Sequence, residues 1–308
     1  MSQSSSTVMM VRPRNFLSNP ETAGSNAFQV KHGEDAADNG RAIAEFNGLV
    51  SALEGAGVEV LVIEDTDSPV KPDAIFPNNW VSFHADGRVV LYPMLAPNRR
   101  LERRPDVLEY LHEDLGFDIR EISDLSDHEA REQYLEGTGS MVFDRVNRLA
   151  YACLSPRTHL QAAADFAQRM GYEMVLFEAV DAQGSAIYHT NVMLCIGSGL
   201  AVICADSIRD ETVRAAVLQR LEETGHELVL ISLEQMEAFA GNMLEVTGRG
   251  GKGRLVMSGR AHASLRADQL EIINKYLEPL AVSVPYIEDC AGGSVRCMLA
   301  EVFLPRSE

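Results

Sequence analysis

The chain of 308 residues is organised by a repeat. Five short segments each carry a small or polar residue just ahead of an apolar run. They read NNWVSF (78–83), GTGSMVF (137–143), HTNVMLCI (189–196), GNMLEV (241–246) and GSVRCMLAEV (293–302). With Asn79, Gly139, Asn191, Asn242 and Ser294 as markers, the successive spacings are 60, 52, 51 and 52 residues. A period of that length belongs to a chain built from one repeated supersecondary unit.

The unit can be read around the markers. The first four apolar runs lead across polar or glycine-bearing turns into RVVLYPM, RLAYACLS, LAVICAD and RLVMSG, which predicts β-hairpins. Ahead of each of the five segments stands a helix-period stretch followed by a strand, as in HLQAAADFAQRMGYEMVLFEA. Apolar residues recur there at i, i+3, i+4 and i+7, and most of these helices end at a glycine, where a left-handed C-cap belongs. The fifth unit has no hairpin partner after it, and STVMMVRP near the N-terminus supplies a spare strand. Pairing the two ends would close a ring and remove sheet edges that invite aggregation. The expected fold class is therefore α/β, a single domain over residues 1–308 built of five ββαβ-type modules about a pseudo-fivefold axis. A doubly wound α/β sheet with a chance period is the alternative.

Equivalent positions of such modules converge at the axis, which would bring Asn79, Glu136, His189, Asn191, Asn242 and Cys297 together. Cysteine and histidine in one pocket can act as nucleophile and base, because the thiolate is the reactive form. His189 and Asn191 stand two apart on a predicted strand, so both side chains are expected on one face. Alone, a free cysteine reads as a small core hydrophobe and a strand histidine as structural; the repeat register singles out Cys297 and His189. Glu136, ahead of the glycines in LEGTGS, is placed to orient a histidine. GRGGKG (248–253) joins two strands of a hairpin and opens no helix, so it reads as a turn and not a phosphate loop.

Composition narrows the function classes. A net charge of −18 opposes binding to a nucleic-acid backbone or an anionic membrane. No apolar run approaches the ~20 residues of a membrane span, and the N-terminus lacks the apolar core and cleavage site of a secretory signal. The five cysteines (153, 195, 204, 290 and 297) are odd in number and lack CxxC spacing. That usage suits a reducing cytoplasm and opposes a disulfide framework or a zinc site. No metal or cofactor is expected.

With these residues in view, the whole chain resembles the guanidine-modifying, or pentein, superfamily of arginine deiminases, dimethylarginine hydrolases and amidinotransferases. These are fivefold α/β propellers with a late cysteine nucleophile. VRPRNFLSNPETAGSNAFQ (11–29) and GGSVRCML are similar to the amidinotransferase-like citrulline hydrolase group. The resemblance implies Cys297 as nucleophile, His189 as general acid/base and Glu136 as its orienting carboxylate. YPMLAPNRR implies a substrate-carboxylate arginine at Arg99, or Arg100 in the adjacent register, and SPRTH a second at Arg157. It also implies a small amino-acid substrate. Relatives are often dimers or tetramers, which leaves room for a homo-oligomer.

The departures from the family pattern bear on the substrate. Where deiminases grip a guanidinium with two aspartates, this chain has FPNN and HTN, giving Asn79 and Asn191. Two carboxylates fit a cation, whereas amides both donate and accept and fit a neutral ureido group. The expectation is hydrolysis of L-citrulline to ornithine, ammonia and carbon dioxide, with Asn79 and Asn191 holding the ureido group. The alternatives are an arginine deiminase, or another guanidine hydrolase or amidinotransferase, with Asp73 or Glu136 neutralising the cation, and a non-catalytic amino-acid-binding relative.

Overall fold

The computed structural model describes residues 2–24, 26, 28–29 and 39–306, and in it the repeat becomes five three-stranded sheets. In the first, Val81–Phe83 pairs antiparallel with Arg88–Leu91, which pairs parallel with Glu121–Asp124. Val142–Asp144, Leu149–Cys153 and Glu173–Phe177 repeat this order. So do Leu194–Gly197, Leu200–Ile203 and Glu227–Leu230, and then Leu244–Thr247, Gly253–Ser258 and Glu278–Val282. The fifth sheet joins residues near the two ends. Ala300–Glu301 pairs antiparallel with Thr7–Arg12, Val8 opposite Glu301, and Thr7–Arg12 pairs parallel with Glu59–Glu64. The spare strand is thus the missing hairpin partner, and the ring of modules closes through it.

A parallel pair needs a crossover, and each module has a helical one: Asn39–Gly55, Pro105–Glu109, Leu160–Met170, Glu211–Glu223 and Ala267–Tyr276. The apolar stripe of each faces its sheet; Ala162, Ala163, Phe166 and Met170 are buried on the third of these helices. Gly171 caps that helix in the left-handed region at φ 67°, as the sequence predicts.

The marker segments differ from expectation at one point. Four of the five do not begin as strands but as tight helical turns, at Pro77–Asn79, Gly137–Ser140, Thr190–Val192 and Val295–Met298, each followed by its strand, while the segment at 241–243 enters Leu244–Thr247 without a helical turn. Three or four residues are too few for side-chain period to separate a turn from a strand. The turns pack backbone against backbone around the axis, which explains the small residues. A Cβ on Gly137 would lie 2.3 Å from the Asn78 carbonyl, one on Gly241 2.2 Å from the Val192 carbonyl, and one on Gly293 2.7 Å from the Phe76 ring. The GRGGKG segment is the expected turn, with Gly250 and Gly251 at φ 69° and 76° between two paired strands. Among the described residues no helix is long and apolar enough to cross a membrane.

Candidate active site

The marker segments deliver side chains from all five modules to the axis. Glu136, fully buried, precedes the Gly137–Ser140 turn. Its Oε1 accepts from the Leu95 N–H at 3.1 Å, and its Oε2 lies 2.8 Å from His189 Nε2. An ionised carboxylate only accepts, so Nε2 carries the proton and Nδ1 keeps a lone pair. Asn79 Nδ2 and the His189 ring converge over Gly139, where a Cβ would lie 2.4 Å from the amide nitrogen and 2.8 Å from the imidazole. Glycine is required there by close approach alone.

These groups border a small cavity lined by Thr22, Asn26, Asp73, Phe76, Asn79, Arg99, Arg157, Tyr188, His189, Ala291, Gly292, Gly293 and Cys297. Cys297 reaches it from the Val295–Met298 turn. Gly292, left-handed at φ 63°, ends the preceding helix, and its carbonyl accepts from the Tyr188 hydroxyl at 2.7 Å. A Cβ on Gly292 would meet the Gln29 N–H and the Asn26 amide at under 3 Å, so this glycine lets Asn26 and Gln29 approach the cavity wall closely. Residues 25 and 27 lie outside the described residues.

Electrostatics separates the ionisable groups. Burial by itself would raise the Glu136 carboxyl, but Arg157, the His189 hydrogen bond and Arg99 together hold it well below the usual carboxylate range. Burial lowers His189 to about 4, against the pull of Glu136, so the imidazole is neutral at pH 7. Burial pushes the thiols of Cys153 and Cys204 up to about 11 and that of Cys195 to about 12, which leaves them protonated and inert. None of the three borders this cavity.

Of the residues singled out in the sequence, Asn79, Arg99, Arg157, His189 and Cys297 line the cavity, with Glu136 directly behind His189. Of the two arginines at 99 and 100, Arg99 lines the cavity. Arg100 turns away, its Nε donating to the Met94 carbonyl and lying 3.3 Å from Glu129. Arg99, however, is not an open fork. Its Nε and Nη2 each lie 2.8 Å from Glu102, and its Nη1 donates to Asn79 Oδ1 at 2.9 Å. Arg157 Nη1 lies 3.4 Å from Glu136, and its guanidinium sits 5.0 Å from the Tyr188 ring centroid.

Asn191 also departs from expectation. It does not line the cavity; its Nδ2 lies 3.6 Å from Cys297 Sγ, and its Oδ1 has no hydrogen-bond partner. His189 is extended backbone ahead of the Thr190–Val192 turn and Asn191 lies inside it, so the two do not share one face of a strand: His189 faces the cavity and Asn191 faces the sulfur. Asp73 is the acidic residue on the cavity wall, held by Asn19 Nδ2 at 2.7 Å and 3.6 Å from Arg99. Sequence reasoning gave Asn242 no role beyond convergence; it contacts Cys297, and its only signal was its place in the repeat.

The sequence model of the eukaryotic N,N dimethylarginine dimethylhydrolase family matches residues 12–304. No curated protein matches the chain in sequence. Among solved structures, ArgZ, an arginine dihydrolase from the ornithine–ammonia cycle in Cyanobacteria, superposes with a TM-score of 0.75 at 17% identity, covering 98% of this chain and 41% of that one. The chain thus spans about two fifths of that relative. The isolated N-terminal domain of ArgZ bound to substrate gives 0.73 at 17%, covering 97% and 99%. A dimethylarginine dimethylaminohydrolase variant carrying an S-methyl-L-thiocitrulline adduct gives 0.64 at 12%, covering 96% and 98%. At such identities these likenesses establish the fold.

Proposed function

Because the chain belongs to the N,N-dimethylarginine dimethylhydrolase family, within the pentein superfamily of guanidine-modifying C–N hydrolases, we propose that it hydrolyses the ureido group of an amino acid, L-citrulline, through Cys297. One observation carries the substrate choice. A guanidinium only donates, so the Arg99 contact forces Asn79 Oδ1 toward Arg99 and leaves Nδ2, which has no protein partner, as a donor beside His189. A ureido carbonyl oxygen accepts from such a donor. A guanidinium substrate has no acceptor to offer it.

The reaction follows from the placed groups. His189 Nδ1 takes the thiol proton, the Cys297 thiolate attacks the ureido carbon, and Asn79 Nδ2 stabilises the oxyanion. The imidazolium, oriented and stabilised by Glu136, gives its proton to the departing nitrogen. Neutral again, His189 activates water to cleave the thioester-like intermediate. That hydrolysis returns the thiol and leaves a carbamic acid, whose remaining C–N bond breaks as it loses carbon dioxide, so that citrulline and one water become ornithine, ammonia and carbon dioxide. Arg157 holds the substrate carboxylate, Arg99 adds its charge from the same wall while fixing Asn79, and Asp73 meets the α-ammonium. The whole chain acts as one propeller domain, in a reducing compartment such as the cytoplasm, consistent with five unpaired cysteines.

Asp73 also favours a second reading. A carboxylate on the cavity wall can pair with a guanidinium, and arginine-acting proteins stand among the structural neighbours. The two readings part on incubation of the purified protein with citrulline, arginine and dimethylarginine. Equimolar ornithine and ammonia from citrulline is the expected result, abolished in Cys297→Ser. Product from arginine or dimethylarginine with none from citrulline overturns the ureido reading.

A further inference from the structure

Asn242 occupies the marker position of the fourth module and is 1% exposed. Its Nδ2 lies 3.0 Å from the Asn191 carbonyl oxygen and 3.3 Å from Cys297 Sγ, while its Oδ1 accepts from the Arg296 N–H at 3.2 Å. A carbonyl only accepts and a main-chain N–H only donates, so both ends fix the sense of this amide with nitrogen toward sulfur. Asn191 Nδ2 approaches the same sulfur at 3.6 Å from the third module. Two neutral donors from two modules are thus aimed at Sγ from the residues behind it, the Asn242 nitrogen closer than its Oδ1, which faces the thiol at 3.7 Å.

We propose that Asn242 is a further catalytic residue, whose amide N–H, held in place by the Arg296 main chain, stabilises the Cys297 thiolate. This rests on the reading of Cys297 as nucleophile. Hydrogen bonds to the charged form of a group favour ionisation; here the donor pair acts beside the buried Arg296 guanidinium, which interacts with Cys297 while paired with Glu301 at 3.6 Å. A carboxylate at position 242 would do the opposite, placing an acceptor and a negative charge against the sulfur.

The test needs no substrate. Iodoacetamide alkylates the thiolate: the S–C bond forms as the C–I bond breaks, iodide leaves with the electron pair, and the thiol proton has already gone to solvent. The rate against pH therefore follows the ionised fraction, with Cys297→Ser as the blank. In Asn242→Asp the midpoint is expected to rise by about one pH unit or more, so that labelling on the acid side of the wild-type midpoint slows about tenfold and approaches wild type in alkali. In Asn242→Ala a smaller rise is expected, slowing labelling about threefold. Should Asn242→Asp fail to fold, Asn242→Ala carries the test. A residue that merely braces the turns would alter stability and leave the midpoint in place, and a folded variant titrating with wild type overturns the proposal. Because citrulline is absent, failure of the ureido reading leaves this result standing, and the reverse also holds.

Discussion

Arg99 Nη1 lies 2.9 Å from Asn79 Oδ1, and that contact decides which end of the Asn79 amide the cavity meets. Arg99 is itself held by Glu102 through two contacts of 2.8 Å. The orientation of one amide in the reaction cavity is therefore set by a buried ion pair behind it.

Replacing that amide by an acceptor should remove the oxyanion donor. In Asn79→Asp, kcat/KM for citrulline is expected to fall about 100-fold or more, the scale of losing one such donor, while arginine competes more strongly than in wild type. Steady-state ammonia release, with arginine as inhibitor, measures both. Undiminished turnover of citrulline would remove Asn79 from the chemistry.

The ion pair behind it makes a separate prediction on stability. Arg99→Met leaves Glu102, buried, facing no guanidinium, and should cost roughly 3–5 kcal/mol in urea denaturation. Adding Glu102→Met should recover much of that loss, because removing both charges relieves the desolvation penalty. Activity should stay low in the double variant, since nothing then fixes Asn79. A double variant as unstable as the single one would contradict this account.

Gly139 separates stability from geometry. A Cβ in Gly139→Ala would push on Asn79 Nδ2 and the His189 ring together. Overpacking of this kind costs about 1–3 kcal/mol, whereas displacing a catalytic group by about an ångström can cost 100-fold in rate. A folded variant with its melting temperature lowered by several degrees and kcat lowered about 100-fold is expected, read by calorimetry alongside turnover.

The buried imidazole should tie stability to pH. Burial holds His189 at about 4 in the native protein, while the unfolded chain binds a proton below about 6.5. The folded value is the lower one, so acid favours the unfolded state and stability is lost as pH falls from about 6.5 toward 4. The loss is at most ~1.4 kcal/mol per pH unit. Glu136, held low, adds its own loss as pH falls through the ordinary carboxylate range and below it. Between pH 7 and 5, wild type should therefore lose about 2 kcal/mol more than His189→Gln. Equal slopes for the two proteins would mean that His189 already charges in the native state.

Much of this architecture is written in the chain. Hairpin alternation, helical period and C-terminal glycines are short-range patterns, and their recurrence every 51 to 60 residues specifies five modules and the pairing near the chain ends. The same register brought Cys297, His189 and Glu136 to one axis. The small residues beside the markers also carried information, since Gly137 and Gly241 sit where neighbouring backbones, and Gly293 where the Phe76 ring, leave no room for a Cβ.

What the tertiary structure alone decided is which way the polar side chains face and whom they meet. Asn191 turned to the sulfur because its segment is a 3₁₀ turn and not a strand, a difference three residues cannot encode in periodicity. Arg99 proved to be committed to Glu102 and Asn79, and Asn242 to Cys297 and the Arg296 main chain. Asn79–Arg99 joins groups twenty residues apart and Asn242–Cys297 fifty-five. A hydrogen bond is selected by distance and direction within a few tenths of an ångström, and such precision exists only once the modules have closed around their axis.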